Sequence, residues 1–322
     1  MMDAVTAPSP RVLVVGEALV DVVPDPDGQP RDLPGGSPAN VAITLGRLER
    51  DVRLVTLLGD DQRGAMVRQW LEASNVRVLA QRTGSGRTSS AAVTLDESGA
   101  ASYVFDLDWE LHEVPHEECD VLHVGSIATV LAPGADAVRD TVHRHRDTAL
   151  VSLDPNARPA ITPDRAGPAA RVEELVALSH VVKVSDEDLL WLHPDHDPVQ
   201  TATRWAAAGP GLVVVTRGGD GAVAVRRGGS VLEVAGVPVA VADTVGAGDT
   251  FSAVLLDALL GLGVGGAGSA ETLEALSDDD VHTAVRTAAA GAAVTVSRPG
   301  ADPPDRDELT AALARQAGAT AE

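Results

Sequence analysis

Short runs of β-branched and other apolar residues recur along the chain, each ended by glycine or by polar residues. Such runs predict buried strands. They occupy residues 11–15, 52–59, 120–126, 149–154, 180–185 and 211–216. Between them lie segments with the apolar spacing of amphipathic helices, most clearly at residues 39–48, 63–74 and 134–145. The alternation predicts an α/β fold with a mostly parallel central sheet and helices on both faces.

Two stretches interrupt this alternation and predict strands outside the main sheet. Residues 17–34 place a polar turn between two short extended segments. Residues 88–107 contain two apolar segments joined by Asp-Glu-Ser-Gly at 96–99, a pattern typical of a β-hairpin. Neither stretch fits a crossover helix.

A glycine-containing turn at 243–249, Asp-Thr-Val-Gly-Ala-Gly-Asp, precedes the most regular apolar helix pattern in the chain. Unpaired N–H groups and the helix dipole favour an anion at such a helix start. A carboxylate at Asp249 would repel a phosphate, unless it takes a proton from a hydroxyl that attacks that phosphate. The turn therefore predicts a phosphotransferase with Asp249 as general base and with the N–H groups of Gly246, Ala247 and Gly248 holding the transferring charge. The alternative is that Asp249 only caps the helix.

Composition narrows the class of protein. With 25 basic and 47 acidic residues among 322, the formal charge is −22, which argues against nucleic-acid and anionic-membrane partners. No apolar run reaches the length of a membrane span. The single cysteine, Cys119, excludes an internal disulfide and fits a cytoplasmic protein. The only lysine, Lys183, follows no glycine loop, so the P-loop kinase classes are excluded.

Two motifs carry a resemblance to a known family. Asp-Thr-Val-Gly-Ala-Gly-Asp at 243–249 resembles the second signature of the ribokinase-like (PfkB) carbohydrate kinases, and Gly-Gly-Ser-Pro-Ala-Asn-Val-Ala at 35–42 resembles the first. Matches at 16–21 and 297–301 extend the resemblance over nearly the whole chain. It implies one three-layer αβα domain over residues 11–315, with a small β-sheet lid formed by segments at about 17–34 and 86–110. Residues 1–10 and 316–322 are expected to be flexible tails.

The resemblance also implies residues that bind the sugar. Asp21, Gly36 and Asn40 would orient it, with Gly35 in the same glycine pair and Asn156 following a strand at 149–154. Three of the seven aromatic residues, Tyr103, Phe105 and Trp109, lie close together in the predicted lid. They either fill the small sheet, which we favour for Phe105, or stack on the sugar, which we favour for Trp109.

Further residues are implied for the nucleotide and for cations. The nucleotide set, which includes the turn glycines, is Arg158, Lys183, Ser185, Thr216, Gly218, Gly221, Gly246 and Gly248. Ser185 and Asp188 stand where the family usually has Asn and Glu. The resemblance implies that Asp188 contacts Mg²⁺ through water, with a side chain one methylene shorter than glutamate. Backbone oxygens near Asp243, Val245, Arg298 and Gly300 correspond to a monovalent-cation site. The expected cofactors are ATP and Mg²⁺, with K⁺ left open.

The expected function is an ATP-dependent sugar kinase, most like a fructokinase, that phosphorylates a primary hydroxyl. The close alternatives are ribokinase and 2-keto-3-deoxygluconate kinase, for which Arg82 or Arg87 near the lid would bind the substrate carboxylate. A nucleoside kinase, using the lid aromatics for stacking, is a more distant alternative. A non-catalytic sugar-binding regulator is another, but it would have lost the base or the glycines. Because relatives often dimerise through their lids, a homodimer is open as well.

Overall fold

A computed structural model of the chain describes residues 9–24, 27, 29–95 and 101–319. The strands within these residues are β1 (Arg11–Val15), β2 (Leu19–Pro24), β3 (Pro30–Gly35), β4 (Asp51–Leu58), β5 (Val76–Arg82), β6 (Ser90–Leu95), β7 (Ala101–Asp106), β8 (Val121–Gly125), β9 (Leu150–Asp154), β10 (Val181–Ser185), β11 (Leu212–Thr216), β12 (Ala222–Arg226) and β13 (Val231–Val234). The α-helices are α1 (Ser37–Arg47), α2 (Gln62–Glu72), α3 (Gly134–His145), α4 (Ala166–Leu178), α5 (Asp186–Leu192), α6 (Pro198–Ala208), α7 (Ala247–Gly261), α8 (Ser269–Ala275), α9 (Asp278–Val296) and α10 (Arg306–Ala319).

The main sheet has nine strands in the order β13-β12-β11-β10-β9-β8-β1-β4-β5. Neighbours from β11 to β5 are parallel, and β12 and β13 add an antiparallel hairpin at one edge. Each predicted strand and helix has a counterpart among these elements. The prediction of a mostly parallel sheet is therefore confirmed, while β5, β12 and β13 were not among the predicted strands.

Alternate residues of each central strand enter two separate cores, one on each face of the sheet. In β1, Val12 and Val14 pack with α1, α7 and α9, whereas Leu13 and Val15 pack with α3, α4 and α6. This period of two is what places successive side chains of a strand on opposite faces. The result is the predicted three-layer arrangement of helices, sheet and helices.

A second, four-stranded sheet has the order β3-β2-β6-β7. Its strands come from the two stretches that interrupted the helix–strand alternation, as predicted. The turn expected at 96–99 lies outside the described residues. At the other end of the chain, α10 runs to Ala319, so residues 316–319 are helical where a tail was expected. No helix in the described part of the chain combines the length and apolarity needed to cross a bilayer.

The helix that follows the glycine turn, α7, is held by both packing and charge. It packs along α9, where Gly291 lies against Val254 so closely that a Cβ would come within 2.7 Å of the valine. Near its other end, the buried Asp257 accepts hydrogen bonds from Arg50 at 2.6 Å and Arg306 at 2.7 Å. These contacts fix α7, and with it the position of its first turn.

Candidate active site

The first turn of α7 has the geometry expected for an anion site. Gly246 is the N-cap residue, with a left-handed φ of 75° that glycine adopts without strain. The Ala247 N–H donates to Thr244 O at 3.3 Å, and no acceptor for the Gly246 and Gly248 N–H groups lies among the described residues. These two N–H groups remain to bind a ligand, assisted by the positive end of the helix dipole.

Asp249, the third residue of α7, is buried and fixed by side chains from two other segments. Its Oδ1 accepts from the Ser37 hydroxyl at 2.7 Å and its Oδ2 accepts from Asn40 Nδ2 at 2.7 Å. Asn156 Nδ2 donates to Ser37 Oγ at 2.7 Å and to Asp249 Oδ1 at 3.3 Å. Because each carboxylate oxygen has two lone pairs, Asp249 can accept a further proton while these bonds persist.

The surroundings of Asp249 favour a base. Burial raises the pKa of its carboxyl, the hydrogen bonds from Ser37 and Asn40 oppose that rise, and nearby Asp154 adds to it. A carboxylate with a raised pKa accepts a proton more readily than an exposed aspartate. The position therefore fits the general-base role predicted from the sequence.

A cavity of about 500 Å³ opens in front of Asp249, between the main sheet and the lid sheet. We call it the first cavity. Of the predicted site residues, those that line it are Asp21, Gly36, Asn40, Phe105, Asn156, Arg158, Val245, Gly246, Gly248 and Asp249. Four polar side chains that we did not assign from the sequence line it too: Glu17, Ser37, Ser126 and Thr244. The first two and Thr244 lie inside the motifs at 16–21, 35–42 and 243–249, so their positions offered a signal, whereas Ser126 lies in none of these motifs.

A second cavity of about 460 Å³ lies behind the same turn. Predicted residues Thr216, Gly218, Gly221, Ala247 and Gly248 line one side of it. The other side is apolar and is formed by Val237, Val239, Phe251, Ala289, Ala292, Ala293 and Val296. Three alanines of α9 form part of this apolar wall, which no motif in the sequence indicated.

The two cavities share part of their walls. Thr244 and Gly248 line both of them. The N-terminus of α7 therefore faces a ligand in either cavity, as a group transfer between two ligands requires.

Lys183 lies beneath the turn and lines neither cavity, contrary to the expectation that it faces the nucleotide directly. Its Nζ is 3.1 Å from Asp154 Oδ2, and both side chains are buried. A Cβ on Gly248 would lie 2.8 Å from the same Nζ. The ammonium group therefore places its positive charge directly against the backbone of the turn, and Ser252 donates to the same Asp154 carboxylate at 3.0 Å.

Ser185 and Asp188 also lie outside both cavities. Ser185 caps α5, and its Oγ accepts from the Asp188 N–H at 3.0 Å. Asp188 accepts from the Ala157 N–H at 3.0 Å, and burial raises the pKa of its carboxyl. Among the described residues, no group of three His, Cys, Asp or Glu side chains could hold a metal ion.

The loops proposed for a monovalent cation do lie side by side. Asp243 accepts from the Val245 N–H at 3.0 Å and from the Gly300 N–H at 2.8 Å, and these bonds lower the pKa of its carboxyl. The Arg298 side chain forms an ion pair with Glu308 at 2.5 Å, which does not involve the backbone oxygen named in the prediction.

The aromatic residues predicted for the lid lie in different environments. Phe105 lines the first cavity, whereas the Trp109 indole is buried in the core, where its Nε1 donates to Ala128 O at 3.1 Å. Our prediction that Trp109 contacts the sugar is therefore wrong. Its ring packs in the core against Gly134, which lies 25 residues later in the sequence. The side chain of Tyr103 lies outside the described part of the chain.

Two other predicted site residues, Gly35 and Arg158, lie elsewhere than the sequence analysis expected. Gly35 does not line the first cavity. A Cβ there would collide with the Asp21 carboxyl, so Gly35 makes room for Asp21. Arg158, assigned from the sequence to the nucleotide, lines the first cavity instead, with its Nη1 on Asn156 Oδ1 at 2.5 Å.

Comparison with known proteins identifies the family. The model of the pfkB family of carbohydrate kinases matches residues 9–308. The chain belongs to this family. A fructokinase of Rhizobium leguminosarum bv. trifolii is 35% identical over 262 residues, covering 77% of this kinase and 79% of that protein. A fructokinase of Klebsiella pneumoniae is 33% identical, with 79% and 86% covered.

Solved structures of fructokinases have the same fold as this chain. The structure of a fructokinase with bound ATP from Xylella fastidiosa has a TM-score of 0.86 and 27% identity, covering 95% of this kinase and 99% of that chain. A fructokinase double mutant from Vibrio cholerae O395, in a form with fructose, ADP and potassium ion bound, has a TM-score of 0.78 and 29% identity, covering 95% and 98%. This kinase is thus a fructokinase-like, ATP-dependent phosphotransferase acting on a sugar hydroxyl, as the sequence predicted.

The buried Lys183–Asp154 pair yields a prediction about stability. Lys183→Met should lower the free energy of unfolding by about 3 kcal/mol, because it leaves the Asp154 carboxylate buried without a counter-charge. Urea unfolding followed by circular dichroism measures this loss. The double variant Lys183→Met/Asp154→Asn removes both charges and should recover most of the stability. A double variant no more stable than the single one would contradict an ion-pair origin of the loss.

Proposed function

We propose that this kinase transfers the γ-phosphoryl group of Mg·ATP to a primary hydroxyl of fructose. The single observation that carries the proposal is the position of Asp249, a buried carboxylate in the wall of the first cavity and one residue from a turn shared with the second. The sugar occupies the first cavity and the nucleotide the second. The fructokinases similar to this chain support the choice of sugar.

The reaction uses Asp249 as the base. Ser37 and Asn40 hold the carboxylate so that it faces the sugar. As the hydroxyl oxygen forms its bond to the γ-phosphorus and the bond from phosphorus to the ADP oxygen breaks, Asp249 takes the hydroxyl proton. Asp21 and Asn40 orient the sugar by hydrogen bonds to its other hydroxyls. The lid sheet, which contributes Ala91 and Phe105 to the wall, limits the access of water that would otherwise hydrolyse ATP.

The nucleotide side supplies electrostatic stabilisation. The apolar wall of the second cavity suits an adenine ring, and Thr216, Gly218 and Gly221 form the loop beside it. The phosphates reach the free N–H groups of Gly246 and Gly248, where the helix dipole and the buried Lys183 add positive potential. Mg²⁺ arrives with the nucleotide and is held mainly by phosphate oxygens and water.

The charges of the first cavity favour a neutral sugar over a sugar acid. Its lining contains the carboxyl groups of Glu17, Asp21 and Asp249 and one guanidinium, that of Arg158. Arg82 and Arg87, considered above for a substrate carboxylate, pair with Asp60 at 3.0 Å and Asp106 at 2.8 Å and lie outside the cavity. 2-Keto-3-deoxygluconate is the second candidate, because the guanidinium of Arg158 lines the cavity and donates there only to the neutral oxygens of Asn156 and Ala157 among the described residues.

Potassium and dimerisation stay predictions. The adjacent loops at 243–245 and 298–300 support a cation bound by backbone oxygens, and the Vibrio fructokinase structure contains a potassium ion. The lid sheet has β3 and β7 at its edges, and Val104 in β7 is 59% exposed, which supports contact between two lids. A cytoplasmic location stays an expectation from the sequence.

The proposal is tested by a sugar panel. We expect Mg·ATP-dependent ADP release with D-fructose to exceed that with D-ribose and 2-keto-3-deoxygluconate at least tenfold in kcat/KM, and K⁺ to increase the rate. A coupled ADP assay measures all three sugars with and without K⁺. Highest activity on 2-keto-3-deoxygluconate would identify that keto acid, and not fructose, as the substrate. No activity on any sugar would contradict the proposal.

Asp249→Asn should lower kcat by about 10²–10⁴-fold, because the amide cannot take the hydroxyl proton. The KM for fructose should change less than threefold. In the wild-type kinase, kcat should fall as the pH drops through the raised pKa of Asp249, since the protonated carboxyl is not a base. Steady-state kinetics between pH 5 and 9 measure both effects. Turnover at the wild-type level in the Asn variant would refute the assignment.

The nucleotide loop is tested by Gly221→Ala. Gly221 has a φ of 98°, and a Cβ there would collide with Val234 O. The variant should therefore displace the loop and raise the KM for ATP about tenfold, with the KM for fructose little changed. Gly228→Ala, where no atom lies within 4 Å of the new Cβ, is the matched control. Equal effects of the two substitutions on ATP would argue against a nucleotide role for the 216–221 loop.

A further inference from the structure

Glu17 is a buried carboxyl group that the mechanism above does not use. It lies between β1 and the lid strand β2, is only 5% exposed, and lines the first cavity. Its Oε2 has no hydrogen-bond partner among the described residues. Because a buried carboxylate oxygen without a partner is costly, a residue that only supported the fold would gain nothing from this position.

The charge of Glu17 is sensitive to its neighbours. Burial raises the pKa of its carboxyl to about 7, and the nearby Asp249 carboxylate adds to the rise. A hydrogen bond from the Ser126 side chain and the positive charge of Arg158 oppose it. The other charged group of the cavity lining is Asp21, in the lid.

The backbone that presents Ser126 to Glu17 is strained. Ser126 follows β8 directly and has a φ of 54°, in the left-handed region. Its carbonyl accepts from Thr129 Oγ1 at 2.7 Å, which holds the 3₁₀ turn that it begins. Asn156, the residue that contacts Asp249, has a φ of 39°. Strained non-glycine residues often cluster at functional sites, and these two line the same cavity.

The unpaired atoms of the cavity indicate what its ligand must supply. Besides Glu17 Oε2, the buried Asn40 Oδ1 lacks a partner among the described residues, and Asn40 lines the cavity too. Both atoms are acceptors, so a ligand satisfies them only by bringing hydrogen-bond donors. A sugar offers several hydroxyl donors in a small volume.

We propose that Glu17 is a sugar-binding residue, whose carboxylate accepts a hydrogen bond from a hydroxyl of the acceptor sugar. The proposal rests on the proposed function, because it assigns the sugar to the first cavity. It adds a contact that the sequence analysis did not assign, although Glu17 lies within the motif at 16–21. Since the ionised form binds the hydroxyl, sugar affinity is full above the pKa of Glu17 and is lost as the pH falls through it.

The test separates sugar binding from turnover. In the wild-type kinase, the KM for D-fructose should rise as the pH falls below about 7. Glu17→Gln should raise this KM about tenfold at pH 8, the loss expected for a hydrogen bond to a charged group. It should also make the KM independent of pH between 6 and 8.5, while the KM for ATP stays within twofold. Calorimetric titration with D-fructose alone should show the same loss of affinity.

We expect the Glu17→Gln variant to fold. Because folding raises the pKa of Glu17, ionising the buried group costs stability above its unfolded pKa, and Gln removes this cost. Ser126→Ala supplies an independent test. Without the hydroxyl that stabilises the carboxylate, the inflection in the fructose KM should move to higher pH. Glu113→Gln, an exposed site, is the matched control and should leave the profile unchanged.

The outcomes are distinct. A folded Glu17→Gln variant with the wild-type pH profile for fructose would overturn the proposal, and so would an unmoved inflection in Ser126→Ala. Either result would leave the wild-type kinase active on fructose. Failure of the proposed function would instead be seen as the absence of ADP release by the wild-type kinase with every sugar of the panel.

Discussion

The Asp249 carboxylate, at the beginning of α7, is the group on which the rest of the site depends. Its two oxygens are bonded to side chains of α1, and Asn156, from the loop after β9, completes the set. These segments lie more than ninety residues apart in the chain. The carboxylate is therefore oriented only when the sheet has brought the ends of its strands together, and the packing of α7 against α9 keeps it there. The geometry of the site therefore depends directly on the tertiary packing.

A chain with a net charge of −22 has to attract a polyanionic nucleotide. The site does so with very few cations. Backbone N–H groups and the α7 dipole are fixed dipoles that need no net charge. The one lysine, although paired with Asp154, lies directly against the backbone of the turn and adds positive potential there.

The fold and the centre of the site could be predicted from the sequence because their signals are local. Apolar periodicity defined the strands, and the Gly-Ala-Gly-Asp turn placed Asp249 at a helix start. Features that depend on distant packing were missed or wrong. The Trp109 ring occupies a core position set by Gly134 and Ala128. The apolar wall of the second cavity depends on which face α9 turns inward, and Glu17 gains its properties only through burial.

Thr244 and Gly248 belong to the walls of both cavities, and this common boundary has a thermodynamic consequence. If one ligand shifts the turn, the binding free energy of the other ligand changes as well. The resulting coupling free energy must be the same in both directions. Whatever factor the bound sugar applies to the dissociation constant of the nucleotide, the bound nucleotide applies to that of the sugar.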